Sequence, residues 1–415
     1  MSSIKTHRVF VTGYGIVSAF GNSWQECREG FQKKENKVIY MPEYTKVHEL
    51  KSYLASPVLN YEPLQELTRK DKRSMGRVSL MSVHAAKLAM QSAGLILDDG
   101  SISDLVTNGS LGVAAGSSTG STDAIVSMAK LFIAESSDCN ANTYIKMMPH
   151  TIAANIAIYF HIKGRVIPTS SACTSASHAI GYSYESIKFG RIPMMIAGGG
   201  EELCMSEVYV FDSLYAASRK NSTPKLTPSP FDKDRDGLVL GEGACFLLLE
   251  SEESMIKRNA APIAEVVGYG SSCDGTHITR PQNQTMKEAM ELSLADAEIS
   301  ADKIGYVNAH ATATSFGDIQ DSIATNQVFG ENIYISSLKS YLGHTLGACG
   351  AMESLFSIMM MNEKIFYPTI NLNEVDKECA KLNYLTDIIN IDTDYVMNNN
   401  FAFGGINTSL IFKRV

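Results

Sequence analysis

Cys173, His310, His344 and Lys339 are the residues of this 415-residue chain whose types and settings could do chemistry. Cys173 stands in SSACTSASH, between a β-rich stretch over 166–169 and a segment whose apolar Ala176, Ala179, Ile180 and Ile187 keep helical spacing. The thiol is thus expected at a helix N-terminus, where unpaired N–H groups and the positive dipole end favour a thiolate and lower its pKa. Small neighbours, Ser170 to Ala172, Thr174 and Ser175, leave room for a substrate. His310 follows the run IGYVNA and opens the loop HATATSFGD; His344 lies in LKSYLGHTLGACGA, ahead of an almost wholly apolar helix. Both end strand-to-loop transitions, where functional groups are commonly displayed. A single cysteine is usually a buried core thiol and a single histidine a structural one, but the four together form a constellation that chance rarely supplies. Carbon–carbon bond formation by decarboxylation wants these types. A thiolate holds one acyl group while donors stabilise the enolate oxygen that forms as carbon dioxide leaves the other. Neutral histidines can donate those bonds, and a lysine can bias their protonation without touching substrate.

The elements that must position them read as α/β. Short apolar runs bounded by turns predict strands over 8–12, 111–115, 194–197, 245–250, 304–308, 333–336 and 409–412. Helical spacing predicts helices over 79–93, closed by Gly94, and 174–189, closed by Gly190. A polar loop over 218–236 and a charged segment over 251–261 divide the chain into halves at 1–255 and 256–415. The halves are faintly alike: strand, Ser/Gly loop and small-residue helix occur in VIPTSSACTSASHAI and again in IYISSLKSYLGHTLGACGAME.

Eight cysteines lie scattered without a CxxC pair, which argues against a disulfide scaffold or a zinc site. Neither a signal-peptide core nor an apolar span is visible, so a cytoplasmic protein without membrane insertion is expected. A net charge of -8 disfavours nucleic acid. Arg69, Lys70, Lys72, Arg73 and Arg77 nevertheless cluster, as a solvated helix face or as a dock for a small acidic protein. Asp232, Asp234, Asp236 and Gly237 imitate a calcium loop, but Gly243 stands where its closing glutamate is needed, which leaves a charged turn. Met359, Met360 and Met361 read as core filling, and Glu353 as a buried, paired carboxylate or a groove residue.

Taken together, VFVTGYGIVSAFGN, SSACTSASH, FDKDRDGLVLGEGACFLLLE, NAHATATSFGD, SLKSYLGHTLGACGAMES, YPTINL and NNFAFGGINTSLIFK resemble, over essentially the whole chain, the elongating Cys-His-His branch of the β-ketoacyl-acyl-carrier-protein synthases. The resemblance implies a thiolase-like, five-layered αβαβα fold made of two related halves. It matches Cys173, His310, His344 and Lys339 to catalytic positions, and Phe403 to a gating aromatic whose N–H, with that of Cys173, forms an oxyanion hole. It matches Thr312 and Thr314 to contacts with the phosphopantetheine arm. Lys70 and Arg73, beside Arg69, match positions that dock the acyl carrier protein, and Glu353 takes a structural role. No metal, nucleotide or flavin is implied. The expected partners are the carrier protein and a second subunit, either a copy or a related chain-length partner. A degradative thiolase would carry a second cysteine in the late loop, here FAFGGIN, and a starter-type enzyme would have asparagine at 344. The chain departs from the family in three places. Ala311 and Ala402 replace usual glycines, at about 1 kcal/mol each if those positions need positive φ. Thr119 replaces a bulky aliphatic residue at the acyl-pocket wall, which implies a changed pocket, in either fatty-acid synthesis or a specialised polyene or polyketide pathway.

Overall fold

The computed structural model describes residues 6–135 and 139–415; residues 1–5, read above for a targeting segment, lie outside it. The first half contributes β1 (Val9–Val17), β2 (Leu111–Gly116), β3 (Val166–Pro168), β4 (Met194–Glu201) and β5 (Gly243–Ser251). The second contributes β6 (Ala264–Cys273), β7 (Tyr306–Asn308), β8 (Tyr334–Ser336), β9 (Asn383–Tyr384), β10 (Tyr395–Ala402) and β11 (Ile406–Lys413). They pair in the order β9-β8-β7-β10-β11-β6-β1-β5-β4-β2-β3. Both halves follow one plan. In the first, β2 runs parallel to β3 and β4, β4 antiparallel to β5, and β5 antiparallel to β1. In the second, β7 runs parallel to β8 and β10, β10 antiparallel to β11, and β11 antiparallel to β6. Among the described residues, the strands of the two halves join edge to edge where Val9–Val11 meets Ala264–Val266.

Helices α1 (Arg77–Ser92), α2 (Thr122–Phe132), α3 (Ser175–Lys188), α4 (Met205–Ser213), α5 (Asn283–Asp296), α6 (Ser315–Phe329) and α7 (Cys349–Glu363) complete the layers. The central helices α3 and α7 pack on each other and on strands of the sheet, α3 mainly on β4 and β2 and α7 mainly on β10. Outside, α1 covers β1, β5 and β4, while α5 covers β6 and β11 and is itself backed by α6. The result is the five-layered arrangement. A helix that is apolar all round must be buried, and α7 meets this with Met352, Leu355, Phe356, Ile358, Met360 and Met361 inside the central core. No helix of the described residues is long and apolar enough to cross a membrane.

The expected helices and strands are present, most of the strands longer than the apolar runs alone indicate. Strand β10 was not expected, because YVMNNNFA carries three consecutive asparagines, all fully buried here. The charged turn is a clamp: Asp232 accepts from the N–H groups of Asn373 and Glu374, and Arg235 donates to the carbonyls of Thr314 and Ser315.

Candidate active site

Cys173 sits in a 3-10 turn (Ala172–Thr174) that leads into α3, and the backbone in front of it is strained, with Ala172 at φ 52°. The thiol is buried, and its Sγ lies 2.9 Å from Nε2 of His344. The helix-start expectation for its pKa is reversed. Burial pushes the thiol up to about 12, against the pull of Lys339 and of the N–H groups of Phe403 and Cys173 itself. At rest Cys173 is therefore a thiol. Those two N–H groups both point at the Cys173 sulfur.

His344 follows Gly343, whose φ of 68° a side chain would strain and whose added Cβ would meet Val239 O at 2.6 Å. The His344 N–H then donates to Val239 O at 2.7 Å, which fixes the ring's origin. His310 follows β7, its ring 5.2 Å from that of His344 and nearly perpendicular to it. Burial, with the Lys339 charge second, holds both imidazoles well below their usual pKa, so both are neutral and each offers one N–H and one lone pair. Donor atoms of Cys173, His310 and His344 all lie within 4.8 Å of one another, close enough to pass a proton and also the donors a soft divalent cation would find. Lys339 lies in the short helix Lys339–Leu342, with Nζ 2.6 Å from Glu353 Oε1. The other Glu353 oxygen accepts from Asn400, which in turn accepts from Ser177. A cavity of about 300 Å³ opens onto Cys173, His310 and His344 and is walled by Phe211, Phe403, Thr312 and Thr314.

Models of the β-ketoacyl synthase N-terminal and C-terminal domains match residues 6–254 and 263–373. The chain belongs to the β-ketoacyl synthase family. It is similar to the 3-oxoacyl-[acyl-carrier-protein] synthase 1 of Haemophilus influenzae, at 32% identity over 98% of this chain and 99% of that one. Among solved structures it is similar to a β-ketoacyl synthase from Burkholderia phymatum, at 48% identity and a TM-score of 0.95 over 99% and 100% of the chains. It is also similar to the ishigamide ketosynthase/chain length factor, at 27% identity and a TM-score of 0.89 over 99% and 100%.

Other expected positions of the synthase fall in different places. Phe403 packs on Phe211, ring centroids 5.1 Å apart, at the cavity wall. The hydroxyls of Thr312 and Thr314 lie 3.2 Å apart and both residues line the cavity. Thr119 does not line it; its hydroxyl faces the carboxyl of Glu207 instead. Arg69, Lys70 and Arg73 are exposed around a 3-10 turn (Asp71–Ser74) rather than on a helix face, and Arg77 is withdrawn from them by Glu242 at 2.7 Å. Neither Ala311 nor Ala402 has positive φ, so the expected strain is absent at both; among the described alanines it falls on Ala134, Ala172 and Ala313, the last two beside the site. Sequence reading missed the groups that hold the Thr312–Thr314 loop. Asp321 accepts from the Ala311 N–H at 2.9 Å and Asp318 from the Ala313 N–H at 3.1 Å. Their signal was FGDIQD directly after the loop, two carboxylates in the first turns of a helix.

Proposed function

We propose that the synthase condenses a Cys173-bound acyl chain with malonyl-acyl carrier protein, and that Cys173, His310, His344 and Lys339 carry the reaction. The observation that carries this reading is the 2.9 Å contact between a buried thiol and a neutral imidazole, with a second neutral imidazole beside it. As the thiol attacks an acyl thioester, His344 takes its proton and passes it to the departing pantetheine sulfur. The acyl oxygen is held by the N–H groups of Cys173 and Phe403. When malonyl thioester follows, its C–CO2 bond breaks and carbon dioxide leaves, and the enolate oxygen is held by an N–H of His310 and by His344 in the tautomer that carries its proton on Nε2. The carbanion attacks the acyl carbon, the Cys173 sulfur departs and takes a proton from water, and a 3-ketoacyl chain two carbons longer remains on the carrier. Lys339 acts through charge, keeping both imidazoles neutral.

Thr312 and Thr314 offer hydroxyls to the pantetheine arm. The exposed cations of Arg69, Lys70 and Arg73 suit the acidic carrier. A second thiolase-like subunit, a copy or a chain-length partner, would cover exposed apolar residues such as Ile125, Val126 and Phe132 of α2, Ile145, and Val166 of the edge strand β3. All eight cysteines are unpaired, which fits the cytoplasm. We assign the reaction to fatty-acid or polyketide-type assembly. Intact-protein mass spectrometry of wild type and Cys173→Ala with acyl carriers, then malonyl carrier, tests it. An adduct on wild type alone, discharged two carbons longer, is expected; no adduct from any acyl carrier, with or without a partner subunit, would sink the reading.

A further inference from the structure

Behind the cavity wall lies a carboxyl group that the reaction does not use. Three acidic residues follow β4 closely or end it: Glu201, Glu202 and Glu207. The first two are fully engaged. Glu201 accepts from Ser117 Oγ, the Ser118 N–H and the Gly347 N–H, at 2.5, 2.8 and 2.9 Å. Glu202 accepts from the N–H and hydroxyl of Thr122, at the start of α2, and from the Val78 N–H in α1. Both tie loops and helix starts together. Glu207 differs. It lies in α4 with only 7% of its surface exposed, yet its one hydrogen-bond partner among the described residues is the Thr119 hydroxyl, on Oε1. Oε2 has none.

A buried carboxyl with a single partner costs folding free energy that a leucine at the same place would not. Burial first, and Glu201 second, raise its pKa well above the ordinary range, so it keeps its proton and has an O–H to donate. Its place in the helix tells what that donor faces. Glu207 and Phe211 are four residues apart and so share one face of α4. Phe211 walls the cavity beside Cys173 and packs on Phe403, and it shares an apolar cluster with Cys173 and Leu346. Leu346 precedes Gly347, whose added Cβ would lie 2.8 Å from Glu201 Oε2. Thr119 and Glu207 thus stand outside the cavity that opens onto Cys173, Glu207 one turn of α4 from the Phe211 that walls it, where a chain long enough to pass Phe211 would reach them.

We infer that Glu207, positioned by Thr119, is a specificity-determining residue that selects acyl chains bearing an oxygen, as hydroxyl or carbonyl, remote from the thioester. This rests on the condensing reading of Cys173. A site that donates a hydrogen bond to its substrate rejects the analogue lacking the acceptor far more strongly than an apolar pocket separates one methylene.

The test compares Cys173 acylation rates, by intact mass, for a length series of ω-hydroxyacyl carriers against methyl-terminated carriers of equal length, in wild type, Glu207→Leu and Glu207→Gln. Wild type is expected to favour the hydroxylated chain by at least about tenfold at its best length, Glu207→Leu to lose that preference, and Glu207→Gln to keep most of it. The rate ratio within each variant is read, so a general loss of activity cancels. Thermal melting of Glu207→Leu is expected to be no lower than that of wild type, which shows it folded. A ratio near one throughout the series in wild type, or an unchanged ratio in Glu207→Leu, overturns the proposal while leaving the condensing function standing. Failure of every chain to label Cys173 overturns both.

Discussion

Replacing Glu353 by glutamine leaves the Lys339 ammonium alone in the protein interior. The two side chains are 2% and 5% exposed and their charged atoms are 2.6 Å apart. Glutamine keeps the volume, so no cavity opens, and its carbonyl can still accept from Asn400. What is lost is the counter-charge. Removing one partner of a buried ion pair costs about 3–5 kcal/mol, because the remaining charge stays desolvated; against a typical domain stability of about 5–15 kcal/mol that is a large share. Lys339 can relieve this only by giving up its proton. Burial already lowers its pKa, and Glu353 leads the groups that lift it back above the usual value. A neutral Lys339 no longer draws down the Cys173 thiol or depresses the histidines. The double variant Lys339→Met with Glu353→Leu removes both charges and fills the space, and should cost far less than the sum of the single changes, with a coupling of at least about 2 kcal/mol. Urea unfolding followed by tryptophan fluorescence measures this, since the sole tryptophan, Trp24, packs on Phe356, one turn beyond Glu353 in α7. The iodoacetamide reactivity of Cys173, followed against pH, should shift upward in Glu353→Gln. A single-variant cost below about 1 kcal/mol, or strictly additive losses, would refute the claim that the pair is an energetic unit.

Acid should weaken the fold through its neutral histidines. His178 has a folded pKa lowered by burial to about 4, so the stability it contributes is present above the unfolded value near 6.5 and is lost as pH falls towards 4, a change of roughly 3 kcal/mol. Melting temperatures from pH 7 to 4 should fall less steeply in His178→Gln than in wild type; equal slopes would contradict the assignment. Ala172→Gly should raise stability by about 0.5–1 kcal/mol by relieving positive φ while slowing Cys173 acylation, whereas Ala402→Gly, at ordinary φ in β10, should lower stability by a similar amount. Denaturation midpoints moving in the same direction for both would show that the strain at Ala172 is not real.

Motif chemistry was readable where it depends on residue type and order. Cys173, His310, His344 and Lys339 converge because each follows a strand end that local apolar patterning marks. Environment was not readable in the same way. The thiol's pKa depends on burial in a cluster with Leu346, Cys349 and Ala402, all distant in sequence, and that outweighs the helix start beside it. Strand β10 was hidden because Asn398, Asn399 and Asn400 look like a turn, and only tertiary partners make them buried. Asn398 bonds Asn308, Gly350 and Asn400, and Asn400 bonds Glu353. Thr119 was placed on the acyl-pocket wall by its position in a motif, but its neighbour Glu207 comes from a helix whose contribution no local pattern announces.

The shared strand plan explains why one site needs both halves. Strand β3 occupies in the first half the place that β8 occupies in the second, and each runs into a Ser-rich loop and then a central helix, α3 or α7. The first of these loops carries Cys173 and the second Lys339 and His344. Likewise β2 and β7 correspond: one leads to Ser117–Thr119 and the other to His310–Thr314. Strands β4 and β10 correspond in turn, ending at Glu201 and just before Phe403. Because α3 and α7 pack together, equivalent loops of the two halves face one another. The first half supplies the buried thiol and the buried glutamates Glu201, Glu202 and Glu207, and the second supplies the neutral imidazoles and the Lys339 cation. Divergence of equivalent loops is what lets a thiol near 12 meet imidazoles held well below their usual value. Two identical halves would set thiol against thiol, with no base beside it to take its proton, or imidazole against imidazole, with no thiol to acylate.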